Sequence, residues 1–193
     1  FPNKILFEFH GLPMIEHVRR RALLLPEISA VIVATCDTLI ADTILGFGGE
    51  VVMTANTHTN GTTRVAEAIE KIDCDYVMLL QGDEPLLLPR HLDEIIKTIK
   101  SSPSGDAWNA TGSIELEEEL DKHSFVKCAV SGLDKVISCF RRTPCYSNFE
   151  VQQKFIRKIL GVIVYRKDFL LELTKLPVSL IEEAEFIEQM RII

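Results

Sequence analysis

No two cysteines of this 193-residue sequence stand at C-x-x-C spacing, and the five present (Cys36, Cys74, Cys128, Cys139 and Cys145) are an odd number. Neither a zinc site nor a disulfide framework is indicated, which suits a reducing cytoplasm. Long hydrophobic runs are also missing and no signal peptide precedes Phe1, so no membrane partner is expected. Basic residues are in short supply. Against 28 Asp and Glu there are 21 Lys and Arg, a net charge of -7. Without a basic face, nucleic acid is not an expected partner. A nucleotide is still within reach, because a few local cations and backbone N–H groups suffice to hold one. Repeats, linkers and low-complexity tracts are absent, so residues 1–193 read as one domain.

What is present is an alternation of strand and helix signals. Met14 to Leu25 carries Ile15, Val18, Ala22 and Leu25 amid charges, the spacing of an amphipathic helix. Ala30 to Ala34 is a short β-branched run that reads as a buried strand. Thr38 to Gly46 predicts a helix ending at glycine, followed by the strand Glu50 to Met53. A helix over Arg64 to Ile72, a strand over Tyr76 to Leu80 and a proline-started helix over Pro89 to Ser101 follow. Val126 to Val130 and Val136 to Phe140 read as paired strands, Lys158 to Tyr165 as another, and Leu180 to Ile193 as a helix. This order predicts an α/β fold with a doubly wound, mixed, mainly parallel sheet and helices on both faces. Ligands of such sheets sit beyond the carboxyl ends of the strands, which places Thr35-Cys36-Asp37 and Gln81 to Pro85 on the binding rim.

Three segments carry candidate chemistry. In Leu79-Leu80-Gln81-Gly82-Asp83-Glu84-Pro85 a buried strand ends, glycine allows a close backbone approach, and a carboxylate follows. That is a way to offer one hard oxygen to Mg²⁺ while phosphates and water fill its other positions. It is equally the pattern of a strand-terminating turn with solvated acids. His58-Thr59-Asn60-Gly61-Thr62-Thr63-Arg64 supplies hydroxyls and amides around a glycine at a helix start, able to meet a base edge or an anion or simply to cap the helix. Phe1-Pro2-Asn3-Lys4 brings a lone cation near the start of the chain, and His17 lies on a helix face.

Together these segments resemble one family, the CMP-Kdo synthetases (3-deoxy-manno-octulosonate cytidylyltransferases). Phe1 to Leu6 is similar to the tail of their S-x-R-x-P-x-K-x-L phosphate loop, and Gly11 to Val18 to G-x-P-M-I-x-H-V. Val33-Ala34-Thr35, Gly48-Gly49 and Met53-Thr54 continue the likeness. His58 to Arg64 resembles H-x-S-G-T-[DE]-R, and Gln81 to Pro85 is Q-G-D-E-P. Phe140-Arg141-Arg142 resembles F-S-R, and Leu160-Gly161 to Tyr165-Arg166 resembles H-L-G-I-Y-x-Y-R. Glu182, Glu185, Glu188, Gln189 and Arg191 follow E-x-x-E-x-L-E-Q-L-R. The likeness runs along essentially the whole chain.

The resemblance implies a nucleotide-diphospho-sugar transferase fold and a CTP-dependent cytidylyltransferase that activates Kdo or a related sugar acid for lipopolysaccharide or surface glycan. It implies Mg²⁺ held by Asp83, and Lys4 on the triphosphate. Gly61, Thr62, Arg64 and Gln81 would bind the nucleotide, while Pro85, Arg142, Glu188 and Gln189 would face the sugar acid. A homodimer is expected, with a dimerisation-like region near residues 125–160. The departures are informative. The family's first strand and the opening of its phosphate loop would precede Phe1, and the natural protein is expected to begin earlier. The family's V-D-T-P segment, with a second metal-ligating Asp, would follow Ile193. With one ligand left, weak magnesium binding is expected. Ile159 and Ile163 stand where the family has His and Tyr, so the acceptor is open to differ from Kdo. Asn60 and Thr63 replace a Ser and an acidic residue. Two other readings are a transferase for a different sugar and a catalytically silent nucleotide-binding or assembly module.

Overall fold

The structure, a computed structural model, describes residues 3–193. Phe1 and Pro2, part of the expected phosphate-loop segment, lie outside the described residues. The chain packs as two compact units: residues up to 108 with 161–171, and residues 109–160 with 172–193.

In the first unit, strands β1 (Glu8–Phe9) and β2 (Leu12–Pro13) form a tight hairpin. Its two turn residues, His10 and Gly11, both sit at positive φ (51° and 77°), the conformation that matches the twist of the flanking strands. Helix α1 (Met14–Ala22) buries Met14, Ile15, Val18 and Ala22 on the predicted face and stops three residues early, although Leu25 still reaches the core. Strand β3 (Ile32–Thr35) starts two residues later than expected. Helix α2 (Thr38–Gly46) has the expected bounds because the Asp37 carboxylate accepts the N–H groups of Leu39 (2.8 Å) and Ile40 (3.3 Å). Asp37, placed on the binding rim by the sequence pattern, is therefore a helix cap. Strand β4 (Glu50–Met53) pairs with β3 in parallel, from Ile32 opposite Glu50 to Thr35 opposite Met53.

Helix α3 (Gly61–Ile69) begins earlier than predicted, because Asn60 caps it through the Thr63 N–H at 2.9 Å. Strand β5 (Tyr76–Leu80) and helix α4 (Pro89–Ser101) follow as expected. Strand β6 (Ala107–Ser113) carries the chain out of this unit, and β9 (Ile156–Arg166) brings it back. The returning half of β9 pairs antiparallel with β5, Tyr76 opposite Arg166 and Leu80 opposite Val162. Ile44, Leu79 and Leu92 from α2, β5 and α4 are among the core side chains; Leu92 is fully buried, a contribution of about 1.5–3 kcal/mol.

In the second unit, β7 (Lys127–Val130) and β8 (Val136–Phe140) form the expected antiparallel pair, and the first half of β9 lies antiparallel to β7. The fold is thus mixed α/β. Of the ladders just described, β3–β4 is parallel and the others are antiparallel, so the strand pairing is mixed, as expected. The turn 131–135 is too short for a crossover, so β7 and β8 can pair only antiparallel. The short helix α5 (Phe149–Gln152) precedes β9, and α6 (Lys167–Leu173) follows it.

The C-terminal helix is the clearest difference. Instead of running from Leu180 to Ile193, it breaks into α7 (Leu180–Glu185) and a 3₁₀ turn (Glu188–Arg191). Phe186 takes the left-handed conformation (φ 53°, ψ 47°) and stays exposed, while Ile187 is buried with Cys128 and Cys139. The break exposes the Glu185 and Phe186 carbonyls, and the Arg141 guanidinium donates to both, at 2.8 and 3.2 Å. All five cysteines are free thiols. Burial pushes those of Cys128 and Cys139 up to about 11 and about 12, so they behave as core apolar groups. Among the described residues no helix is long and apolar enough to cross a membrane.

Candidate functional site

The nucleotide-side candidates gather in the first unit, where β5 ends. The Lys4 ammonium donates to Asp83 Oδ2 at 2.6 Å, joining residues 79 apart in sequence. Both side chains are open to solvent, so the pair is accessible and individually weak. Gln81 donates its backbone N–H to the Gly161 carbonyl on β9 (3.1 Å). Its side-chain amide lies beside the start of α3: a Cβ added at Gly61 would stand 3.3 Å from Gln81 Nε2. Gly61 therefore lets the N-terminal end of α3 approach the loop after β5. That helix end also carries the positive end of a helix dipole.

Glu84 sets the shape of the loop. Its carboxylate accepts the Gly161 N–H at 2.8 Å, and Pro85 follows it half-buried. The need for glycine lies at Gly161 rather than at Gly82. A Cβ at Gly82 would meet Ile15 and Ile5 at 3.5–3.7 Å, ordinary contact, while one at Gly161 would fall 2.2 Å from Glu84 Oε1. A lone glycine inside a strand is the sequence signal for such an approach.

Other predicted residues have hydrogen-bond partners within the protein. Thr62 is buried and its hydroxyl hydrogen-bonds the Tyr165 hydroxyl at 3.0 Å. Arg64 donates from Nη1 to the Thr54 hydroxyl (2.6 Å) and the Ala55 carbonyl (3.4 Å), holding the loop before α3. His17 contacts the Phe9 carbonyl through Nε2 at 2.8 Å.

In the second unit, Gln189 donates to Asn109 Oδ1 (3.3 Å) from the 3₁₀ turn that also holds Glu188. Arg142 is exposed and turns to Asp121 at 3.4 Å. Its neighbour Arg141 is the built-in residue of the pair, with a third bond to the His123 carbonyl at 2.9 Å. The turn is anchored by Arg191, whose Nε donates to the buried Glu182 at 2.8 Å. Ile159 packs here on Cys128, Cys139 and Ile187, while Ile163 is buried in the first unit, so both positions are apolar framework.

Asp83 is the carboxylate available to a divalent cation, since that of Glu84 is committed to Gly161. The described residues hold no group of three or more His, Cys, Asp or Glu able to bind a metal. This donor set fits Mg²⁺, which binds through one or two carboxylates when substrate phosphates complete its shell.

The pattern of the cytidylyltransferase family matches residues 1–193. The chain is 34% identical to the 3-deoxy-manno-octulosonate cytidylyltransferase of Geobacter sulfurreducens, over 99% of this chain and 80% of that protein. It is 37% identical to the 8-amino-3,8-dideoxy-manno-octulosonate cytidylyltransferase of Shewanella sediminis, over 99% and 79%. A solved CMP:2-keto-3-deoxy-manno-octonic acid synthetase complexed with CTP shares its fold with a TM-score of 0.90 at 32% identity, covering 100% of this chain and 79% of that one. With the Lys4–Asp83 pair, the Gly61–Gln81 approach and the Glu84–Gly161 clasp falling in the segments that carry the sequence likeness, the chain belongs to the cytidylyltransferase family.

Proposed function

We propose that this protein is a CTP-dependent cytidylyltransferase that activates Kdo or a closely related sugar acid to its CMP-sugar and releases pyrophosphate. The observation that carries the reading is the Lys4–Asp83 pair at the end of β5, one cation and one carboxylate held 2.6 Å apart and open to solvent. An incoming triphosphate supplies a competing anion for Lys4 and frees Asp83. In the reaction the anomeric hydroxyl of the sugar attacks the α-phosphorus of CTP, forming one P–O bond as the bond to pyrophosphate breaks. The hydroxyl proton passes to solvent. Such transfer needs positioning and charge neutralisation rather than a protein nucleophile. Lys4 neutralises phosphate charge. The start of α3, from Gly61, Thr62 and Arg64, forms the nucleotide side with Gln81. By the family likeness Arg142, Glu188 and Gln189 of the second unit are candidates for contact with the sugar acid, and Pro85 of the first unit is a separate candidate. Asp83 would hold Mg²⁺, which supplies further neutralisation of the triphosphate.

Ile159 and Ile163 stand where the family has His and Tyr, so two polar groups of the family's pattern are missing. The relatives above include both a Kdo and an 8-amino-Kdo enzyme, so those two acids head the candidate acceptors. The homodimer reading is supported by Leu133 and Ile137, exposed apolar side chains within residues 125–160. The decisive experiment incubates the protein with CTP, Mg²⁺ and a panel of sugar acids and measures pyrophosphate. Wild type is expected to release it with a 3-deoxy-octulosonate acceptor, and Asp83→Asn to lose that release while its circular dichroism stays native. Near-normal turnover by the variant would overturn the role given to Asp83.

A further inference from the structure

The stretch between β4 and α3 is held from one side by a single helix. Thr54 is buried and donates its N–H to the Thr35 carbonyl at 2.9 Å, after which Ala55, Asn56 and Thr57 are exposed. Both polar groups of Ala55 are taken by side chains of α3. Its N–H is shared by the two Glu67 carboxylate oxygens, each at 3.1 Å, and its carbonyl accepts from Arg64 Nη1. Arg64 and Glu67 are three residues apart and so lie on one helix face. His58, further along the loop, sets its Nε2 against the Glu67 carboxylate. That contact first, and the Ala55 N–H second, hold the Glu67 carboxyl below its ordinary range. One carboxylate therefore ties down the loop near both ends.

We propose that Glu67, acting with His58 and Arg64, is a positioning residue for CTP: it staples residues 54–58 to α3 and so sets the start of that helix against Gln81. The inference rests on the nucleotide reading above and extends it to Glu67 and His58, which that reading gives no contact with substrate or metal. The chain between Ala55 and Asn60 is short, so a loop released from Glu67 carries its freedom directly into the cap and first turn of α3. Because the staple is at the surface, its loss leaves the core packing untouched and acts locally. A contact felt by bound CTP and by the transition state alike changes KM and leaves kcat alone.

The test compares wild type, Glu67→Ala, Glu67→Gln and His58→Gln in the full chain. CTP affinity is measured by calorimetry, steady-state kinetics by pyrophosphate release, and Ala55 amide exchange by NMR. Glu67→Ala is expected to weaken CTP about tenfold, the scale of one charge-assisted hydrogen bond, with kcat within about twofold. The Ala55 amide should exchange faster. Glu67→Gln keeps an acceptor for that N–H and should recover most of the affinity, and His58→Gln should fall between. Unchanged CTP affinity in Glu67→Ala overturns the inference, as does weakened affinity with unaltered Ala55 exchange, or a loss confined to kcat. Wild-type protein that binds no CTP overturns the nucleotide reading and the inference with it. The exchange measurement tells that failure from a failure of the staple alone.

Discussion

Gly161→Ala tests the clasp between β9 and the loop after β5. An added Cβ would stand 2.2 Å from Glu84 Oε1, 2.9 Å from Glu84 Cδ and 2.8 Å from Gln81 Cγ. Glu84 is the end of a flexible side chain and can swing away, but only by giving up the Gly161 N–H it accepts at 2.8 Å. A hydrogen bond to a charged group contributes about 1.5–3 kcal/mol, with the half-buried Glu84 at the low end. Gln81 Cγ moves only if the whole side chain turns about χ1 away from the start of α3, an overpacking cost of about 1–2 kcal/mol. The expected loss is about 3 kcal/mol, a substantial share of the roughly 5–15 kcal/mol that holds a domain together. Backbone strain plays no part, since Gly161 is not among the positive-φ glycines. Urea unfolding of wild type, Gly161→Ala, Glu84→Ala and the double variant measures the coupling. In the Glu84→Ala background the glycine substitution should cost only the Gln81 part, about 1–2 kcal/mol. A loss below about 0.5 kcal/mol, the range of an ordinary surface change, would refute the clasp. So would equal losses in both backgrounds.

Two further outcomes are expected. Hydrogen bonds from Lys158 first, then from the Glu115 and Leu116 N–H groups, hold the Glu119 carboxyl down to about 2 from an ordinary 4.5. A depressed carboxylate contributes stability above its unfolded pKa and loses it as pH falls toward the folded one. Wild type should therefore lose stability between about pH 4.5 and pH 2, and Glu119→Gln should lose less; equal acid slopes in urea titrations at several pH values would count against the contact. The homodimer reading predicts a two-chain mass by light scattering that Ile137→Lys lowers to one chain. A one-chain mass for wild type would remove it.

The resemblance of ordered motifs to a known family brought the family and the Asp83 candidate within reach of sequence reasoning, while the periodic traces of buried strands and amphipathic helices gave the fold class. Helices α2 and α4 kept their predicted bounds for the same reason, each carrying its own start signal in Asp37 or Pro89. Local chemistry did not reveal the uses of Glu67, Glu84 and Arg141, which bond to backbone groups 12, 77 and 44 residues away at Ala55, Gly161 and Glu185. Nor did it reveal the break at Phe186, where Ile187 gains a place in the core and Arg141 receives the freed carbonyls. Sequence alone determined most of the strands and helices, though not β1, β2, β6, α5, α6 or the break at Phe186, since periodicity and capping act over a few residues. Only the tertiary structure decided which polar side chains are spent on holding the loops and which remain open to a ligand. A hydrogen bond is chosen by proximity in space, and no spacing along the chain records it.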